Sequence, residues 1–497
     1  MSLKTWNFTI MTKNDIAVQI KDASDVVGTT FGPNGGNVLF SKQEGIPHPV
    51  ILRDGVKTLM QYINARPEDT GARLLADACN RTVKKAGDGT TTTAILAGAF
   101  LENWEELDIE QFLVKGEEAT KEQFYQAAGI SGNGRPEAKL VADLIWQLGP
   151  HAYIVPISNI GSKTRIEIKE GYVTDGGLYT PDFMNRSPHA DYTHNSVILK
   201  NPYVMLVHDA ILGQEQMGLV IQKYMDLKTD RPLVIFGTDI AKTAVKAVLD
   251  NLTPKVWNNG KNSHNGLPIF LAAGWKDGYS FEDIKKATGA TVFSQSTKFL
   301  FPIKGCNLEL ADLGEAEEIE LTASGPKQQG YTRIKMKDLG VIDKLIEDLK
   351  AQITPDNQDE IEERLSKLSK GVGFIYIGGD TEAEHRLIAD SIEDCAISSI
   401  SVLKDGVVPG CAYSFYEISE KAKEQGYEKF GKAIYEPRKK LLKSMGVEED
   451  AAVYNFRTKK YMFHHESDIW ESASVVNESI KSAYSLIREF NNVQRTI

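Results

Sequence analysis

The chain has 497 residues, 41% of them hydrophobic and 25% charged, with a formal net charge of −11. That length is too great for one ordinary core and predicts about two to four domains of soluble, globular composition. The acidic balance argues against nucleic acid as a partner, because phosphate binding wants basic surface. It suits a soluble assembly, or a cavity wall that does not stick to what it holds.

In chain order, Ile16, Ile20, Ala23 and Val27 recur at helical spacing, and Gly28 ends the run. A glycine-rich turn follows, Phe31-Gly32-Pro33-Asn34-Gly35-Gly36-Asn37, and then a hairpin with Val38-Leu39-Phe40 and Val50-Ile51-Leu52 as strands. The next helix carries Leu74, Leu75, Ala78, Thr82 and Val83 on one face, with Lys84 and Lys85 in its last turn and Gly87 behind it. Asp88-Gly89, the threonines Thr90 to Thr93 and the apolar helix Ala94-Ile95-Leu96-Ala97 come next. From about 172 to 370 short strands alternate with helices. Val204–Val207, Leu233–Phe236 and Ile269–Leu271 read as buried strands of an α/β module. A charged stretch at 341–369 reads as a solvated helical hairpin turning at Pro355-Asp356-Asn357, followed by the strand Phe374–Ile377. The last third is helical, with an apolar stripe of Leu387, Ile388, Ile392, Ala396 and Ile400, and with Asp390 and Asp394 one turn apart beside it. Helical ends around an α/β centre predict one domain made from both termini with another inserted.

The cysteines Cys79, Cys306, Cys395 and Cys411 form no CxxC pair and no zinc spacing, which points to a reducing compartment. No apolar run approaches the ~20 residues of a membrane span. The opening Met1-Ser2-Leu3-Lys4-Thr5-Trp6 lacks a signal-peptide core, so the expectation is a cytoplasmic protein without a membrane partner. The pair His464-His465 reads as a surface feature rather than a metal site.

The chemistry concentrates at the two glycine turns. A helix N-terminus presents free N–H groups and partial positive charge to a phosphate. Threonine hydroxyls add donors, glycines let the backbone come close, and Asp88 is placed to hold the Mg²⁺ that accompanies ATP. Neither turn has the glycine-lysine-serine/threonine of a P-loop, and a plain interhelical turn with threonine caps stays open on motif grounds.

Together the segments resemble the chaperonin family, its bacterial-type (group I) branch, in a divergent, phage-encoded form. The resemblance rests on Thr30-Phe31-Gly32-Pro33-Asn34-Gly35-Gly36-Asn37-Val38, Arg53-Asp54-Gly55-Val56, Ala86-Gly87-Asp88-Gly89-Thr90-Thr91-Thr92, Ile392-Glu393-Asp394 and Gly406-Val407-Val408-Pro409-Gly410, in the family's order. It implies a multidomain α+β fold. A helix-rich equatorial ATPase domain would come from 1–117 and 405–497, a small α/β intermediate domain from 118–170 and 371–404, and an inserted α/β apical domain from 171–370. Gly171 and Gly371 would mark the apical hinge.

The resemblance also implies roles. Asp88 would hold Mg²⁺, and Phe31, Gly32, Pro33, Gly89, Thr90, Thr91 and Thr92 would surround the phosphates. Thr30, Arg53 and Thr91 match positions around K⁺, while Asp54 and Asp394 would flank the γ-phosphate and activate water. Gly410 would lie against the nucleotide, and Asn455 and Glu471 around the adenosine, with Glu471 where the family has aspartate. Leu178, Phe183, Leu219, Ile221, Val245 and Leu249 match or neighbour the family's apical client surface. The implied function is ATP-dependent folding of non-native proteins inside a homo-oligomeric ring of about seven subunits, single or double, with the hairpin at 38–52 pairing between neighbours and a co-chaperonin lid as a further partner.

Several features depart from the family. Asp182 and Leu178 replace aromatic residues, Cys411 and Ala412 replace glycines, and Asn34 and Gly36 replace basic residues. The join at 102–130 is short, and a glycine-methionine tail is missing. A chaperonin-like holdase or scaffold without ATP turnover therefore remains the alternative, and the retained Asp54, Asp88 and Asp394 argue against it. A metabolic ATP-dependent enzyme would need a second catalytic cluster in 171–370, and the sequence offers none.

Overall fold

The computed structural model describes residues 12–32, 34–41, 50–52, 55–132, 134–192, 195–252, 255–256, 263–264, 266–273, 278–294, 298, 300–301, 306–323, 330–338, 340–354, 357–368, 371–446, 452–455, 460–463 and 469–493. The architecture is mixed α+β, as the sequence predicts, and divides into two compact units, 1–150 with 379–497, and 151–378.

The first unit is helical. Thr12 and Asp15 form a reciprocal capping box that starts the helix Lys13–Gly28, whose Ile16, Ile20, Ala23 and Val27 are buried. Asp69 caps the helix Thr70–Ala86 by accepting from Ala72 N at 2.8 Å. The helix Thr90–Glu102 is apolar on nearly every side and is accordingly sunk in the core. It packs on the C-terminal helix Ala473–Asn492, and Phe100 stacks on Phe430 at 5.6 Å and meets Tyr484 edge-on at 5.5 Å. Residues from both ends of the chain thus share one hydrophobic cluster. The helices Lys121–Ser131 and Pro136–Leu148 pack on the long helix Glu382–Asp405 in the same unit. On that long helix Ile388, Ile392 and Ala396 are buried, but Leu387, expected on the stripe, is 46% exposed.

The second unit is built on sheets. Tyr203–Leu212, Leu233–Ile240 and Ile269–Ala273 run parallel, joined through the helices Gln214–Asp226 and Lys242–Leu252, with Leu233 opposite both Tyr203 and Ile269. Their unbroken apolar runs reflect burial on both faces. A second sheet orders Tyr172–Asp175, Tyr331–Lys335, Glu318–Thr322, Ser196–Lys200 and Ala190–Asp191, all antiparallel. A third pairs Val372–Ile377 with Tyr153–Ser158 and Arg165–Lys169. The charged stretch forms the helices Gly340–Lys350 and Gln358–Lys367, with Ile342, Leu345, Leu349, Ile361 and Leu365 turned inward; Pro355 and Asp356 lie outside the described residues.

The residues expected on the client face differ in exposure. Leu178, Phe183, Ile221, Val245 and Leu249 are all buried in this unit's core, and only Leu219, at 39%, is exposed. The reason is ordinary helix amphipathicity: apolar residues at helical spacing pack down on the sheet beneath them.

Candidate functional site: two glycine turns and a long helix

At the second turn, Gly87 ends one helix with φ +76° and Gly89 starts the next with φ +100°, both in the left-handed region. Gly89, the N-cap of the helix Thr90–Glu102, supplies no side-chain cap, and a helix N-terminus of this kind suits an anion. Asp88 lies between the helices. Its Oδ1 accepts from Gly89 N at 2.6 Å and its Oδ2 from Ser131 Oγ at 3.2 Å, and Ser131 Oγ is also 2.8 Å from Ser398 Oγ. An ionised carboxylate beside hydroxyls is a hard oxygen donor set, and Mg²⁺ fits it. Thr90 is buried, and Thr91 and Thr92 are half-buried.

Two further segments converge on this turn. A Cβ added to Gly55 would fall 2.2 Å from Thr91 Oγ1, so the helix Gly55–Ala65 begins directly against Thr91. A Cβ on Gly87 would fall 2.5 Å from Ser398 N and 3.0 Å from Asp394 O, so the long helix sits on the turn at the level of Asp394. Asp394 itself is half-buried. Arg53 and Asp54, immediately before Gly55, lie outside the described residues.

The first turn packs on the helix Glu436–Met445, where Gly32 (φ +79°) faces Leu441. Thr30 Oγ1 donates to Val27 O at 2.8 Å, and Phe31 is partly buried against the core. Gly35 N and Gly36 N close the loop onto Gly32 O and Thr29 O at 3.0 and 2.7 Å. A Cβ on Gly35 would strike Thr30 O at 2.2 Å, which explains a glycine there. Pro33 lies outside the described residues, and the hairpin pairs Val38 with Leu52 and Leu39 with Ile51.

At the C-terminal side, Gly410 N donates to Ile469 O at 2.9 Å, and the short strands Val407–Pro409 and Trp470–Ser472 pair Val408 with Glu471. Glu471 Oε1 is buried with no hydrogen-bond partner among the described residues. Burial, reinforced by the Asp88 carboxylate and opposed by Arg438, pushes Glu471 up to about 8. Arg438 is fully buried and donates from Nη1 to Cys411 O at 2.8 Å. Cys411 and Ala412 both hold left-handed backbone, φ +59° and +57°, at the positions where glycines were expected. Asn455 ends the strand Ala452–Asn455; its side chain and the pair His464-His465 are outside the described residues.

The structure therefore gathers Asp88, Gly89, Thr90, Thr91, Thr92, the helix turn of Asp394 and, by its charge on Asp88, Glu471. Sequence reading missed Ser131 and Ser398, since a lone serine on a helix carries no motif; only packing puts them beside Asp88.

Residues 23–127 match the model of the TCP-1/cpn60 chaperonin family. Over nearly its whole length the chain is similar to chaperonins. It is 26% identical to the mitochondrial chaperonin homolog Hsp-60 of Caenorhabditis elegans, over 93% of this chain and 86% of that one. It is 24% identical to the chloroplastic chaperonin GroEL of Gracilaria tenuistipitata var. liui, over 92% and 89%. In fold it resembles the crystal structure of the chaperonin gp146 from the bacteriophage EL 2 (Pseudomonas aeruginosa) in presence of ATP-BeFx, with a TM-score of 0.74 and 17% identity, covering 98% of this chain and 97% of that one. A group III chaperonin in the open state matches with a TM-score of 0.58 and 16% identity, covering 98% of each chain.

Proposed function

We propose that this chaperonin binds and hydrolyses ATP at the Gly87–Gly89 turn and uses the cycle to fold client proteins within a cytoplasmic homo-oligomeric ring of about seven subunits. The carrying observation is the seating of the Asp394 helix on Gly87, next to Asp88 and the open N-terminus of Thr90–Glu102. In this reading Thr90, Thr91, Thr92 and Gly89, with Thr30, Phe31, Gly32 and Pro33 of the first turn, surround the phosphates. Mg²⁺ on Asp88 would neutralise phosphate charge, and K⁺ would be held by Thr30, Arg53 and Thr91. Asp54 and Asp394 orient and deprotonate the attacking water, while Gly410, Asn455 and Glu471 line the nucleoside side. Phosphoryl transfer needs positioning and charge neutralisation more than covalent help, and this donor set supplies both. The equatorial, intermediate and apical boundaries stated above describe the working parts. Leu39 and Ile51, exposed opposite each other on the hairpin, suit pairing with a neighbouring subunit, and exposed Leu219 and Met225 on Gln214–Asp226 suit client or lid contact.

The test is K⁺- and Mg²⁺-dependent ATP turnover in the wild type and in Asp394→Ala. Loss of a general base predicts a fall of at least about a hundredfold with nucleotide still bound. Equal, negligible rates in both would leave a holdase instead.

A further inference from the structure

The long helix Glu382–Asp405 bears a second carboxylate, Asp390, one turn before Asp394. Asp390 is ion-paired with Lys57, in the first turn of the helix Gly55–Ala65. That helix starts against Thr91 and follows Asp54 directly in sequence. We propose that the Lys57–Asp390 pair is a positioning strut that holds the Asp394 helix at the height where its carboxylate meets the terminal phosphate. This inference rests on the ATP-hydrolysis reading above.

Residues four apart on a helix share one face, so a pull on Asp390 is transmitted to Asp394 with little slack. Near Asp394 the long helix is also held by Ser398 on Ser131, by Ser391 Oγ donating to Gly132 O at 2.7 Å and by the close approach of Asp394 O to Gly87. Without Lys57, the helix stays anchored through Ser391, Ser398 and Gly87 but loses this tie to the segment behind Asp54. Both partners are about half exposed, at 43% and 48% of the side chain. Such a pair contributes little to folding stability, so its loss should leave the subunit folded and alter geometry more than stability. In this proposal the effect of Lys57 and Asp390 comes through Asp394.

Turnover and nucleotide affinity measured separately in Lys57→Met and Asp390→Asn test this. Each single variant should lower kcat about two- to fivefold, the range open to an exposed pair, with ATP affinity unchanged. The charge swap Lys57→Asp with Asp390→Lys should recover most of the lost kcat, which a merely structural role would not predict. Raising ionic strength with an inert salt at constant K⁺ should slow the wild type and leave Lys57→Met unaffected. Wild-type kcat in both single variants, or a swap no better than either, overturns the strut while leaving Asp394→Ala to report on the hydrolysis reading alone. A wild type with no turnover at all overturns both.

Discussion

The two compact units solve the problem of buried polarity differently. In the helical unit the buried polar side chains are mostly hydroxyls, among them Ser24, Thr82, Thr93, Ser131, Ser398, Ser401 and Ser479. A hydroxyl is small and can bond a neighbouring carbonyl or another hydroxyl, as Ser24 does with Ala94 O at 2.6 Å and Thr82 with Thr93 at 2.9 Å. Helices can then approach closely and stay satisfied. In the sheet unit the buried polar groups include full charges. Glu320 is buried and receives Arg333 Nε at 3.0 Å, Tyr331 OH at 3.0 Å and Lys169 Nζ at 3.2 Å, while Arg333 also bonds Glu318 and donates to Glu170 O at 3.0 Å. The contrast matches the work proposed for each unit. Hydroxyl-lined helix contacts can slide and re-form around a nucleotide, whereas a satisfied charge network pins strands in one register.

The contrast can be broken most sharply at Arg333. Arg333→Met leaves Glu320 and Glu318 without their guanidinium and should cost about 3–5 kcal/mol. Faster hydrogen exchange across Tyr331–Lys335, and unchanged exchange in Thr90–Glu102, would confirm a loss local to the sheet unit. If Arg333→Met exchanged like the wild type, the network would be ornamental.

Glu471 departs from that pattern in the helical unit, a carboxyl whose buried Oε1 has no hydrogen-bond partner among the described residues. Its proton is retained in the folded state up to about 8, whereas the unfolded chain releases it near 4.5. Between those values the folded state binds more protons, so stability falls as pH rises, by up to about 1.4 kcal/mol per pH unit in the nucleotide-free protein. Urea midpoints across that window should slope downward in the wild type and flatten in Glu471→Gln. An identical slope in the variant would assign the effect to other groups.

The smallest expected effect lies at Cys411 and Ala412. Left-handed backbone costs a non-glycine residue about 1–2 kcal/mol, and glycine's extra freedom in the unfolded chain returns about 0.5–1 kcal/mol of that. Cys411→Gly with Ala412→Gly should therefore stabilise the protein by about 1 kcal/mol, visible as a higher unfolding temperature. A lower temperature would mean that the cysteine and alanine side chains pack well enough to offset the strain.

Much of the candidate site was readable because its decisive features are local. Gly87 and Gly89 mark two left-handed positions around one acid, and a threonine run after them marks a helix start, all within consecutive residues. The parallel strands of the sheet unit were equally plain, since burial on both faces leaves an unbroken apolar run. Exposure of the client residues was not legible, because periodicity reveals that a helix has an apolar side, not whether that side meets a sheet or solvent; Ile221, Val245 and Leu249 meet the core.

From its sequence alone, this protein had its helices, turns, strand runs and resemblance to chaperonins legible, because each depends on neighbours a few residues apart. Only the tertiary structure could seat the Asp394 helix on Gly87, bring Ser131 to Asp88, pair Lys57 with Asp390 and bury five of the six supposed client residues. Those relations join segments separated by tens to hundreds of residues, and their distances follow from how whole elements pack, which no short window of sequence contains.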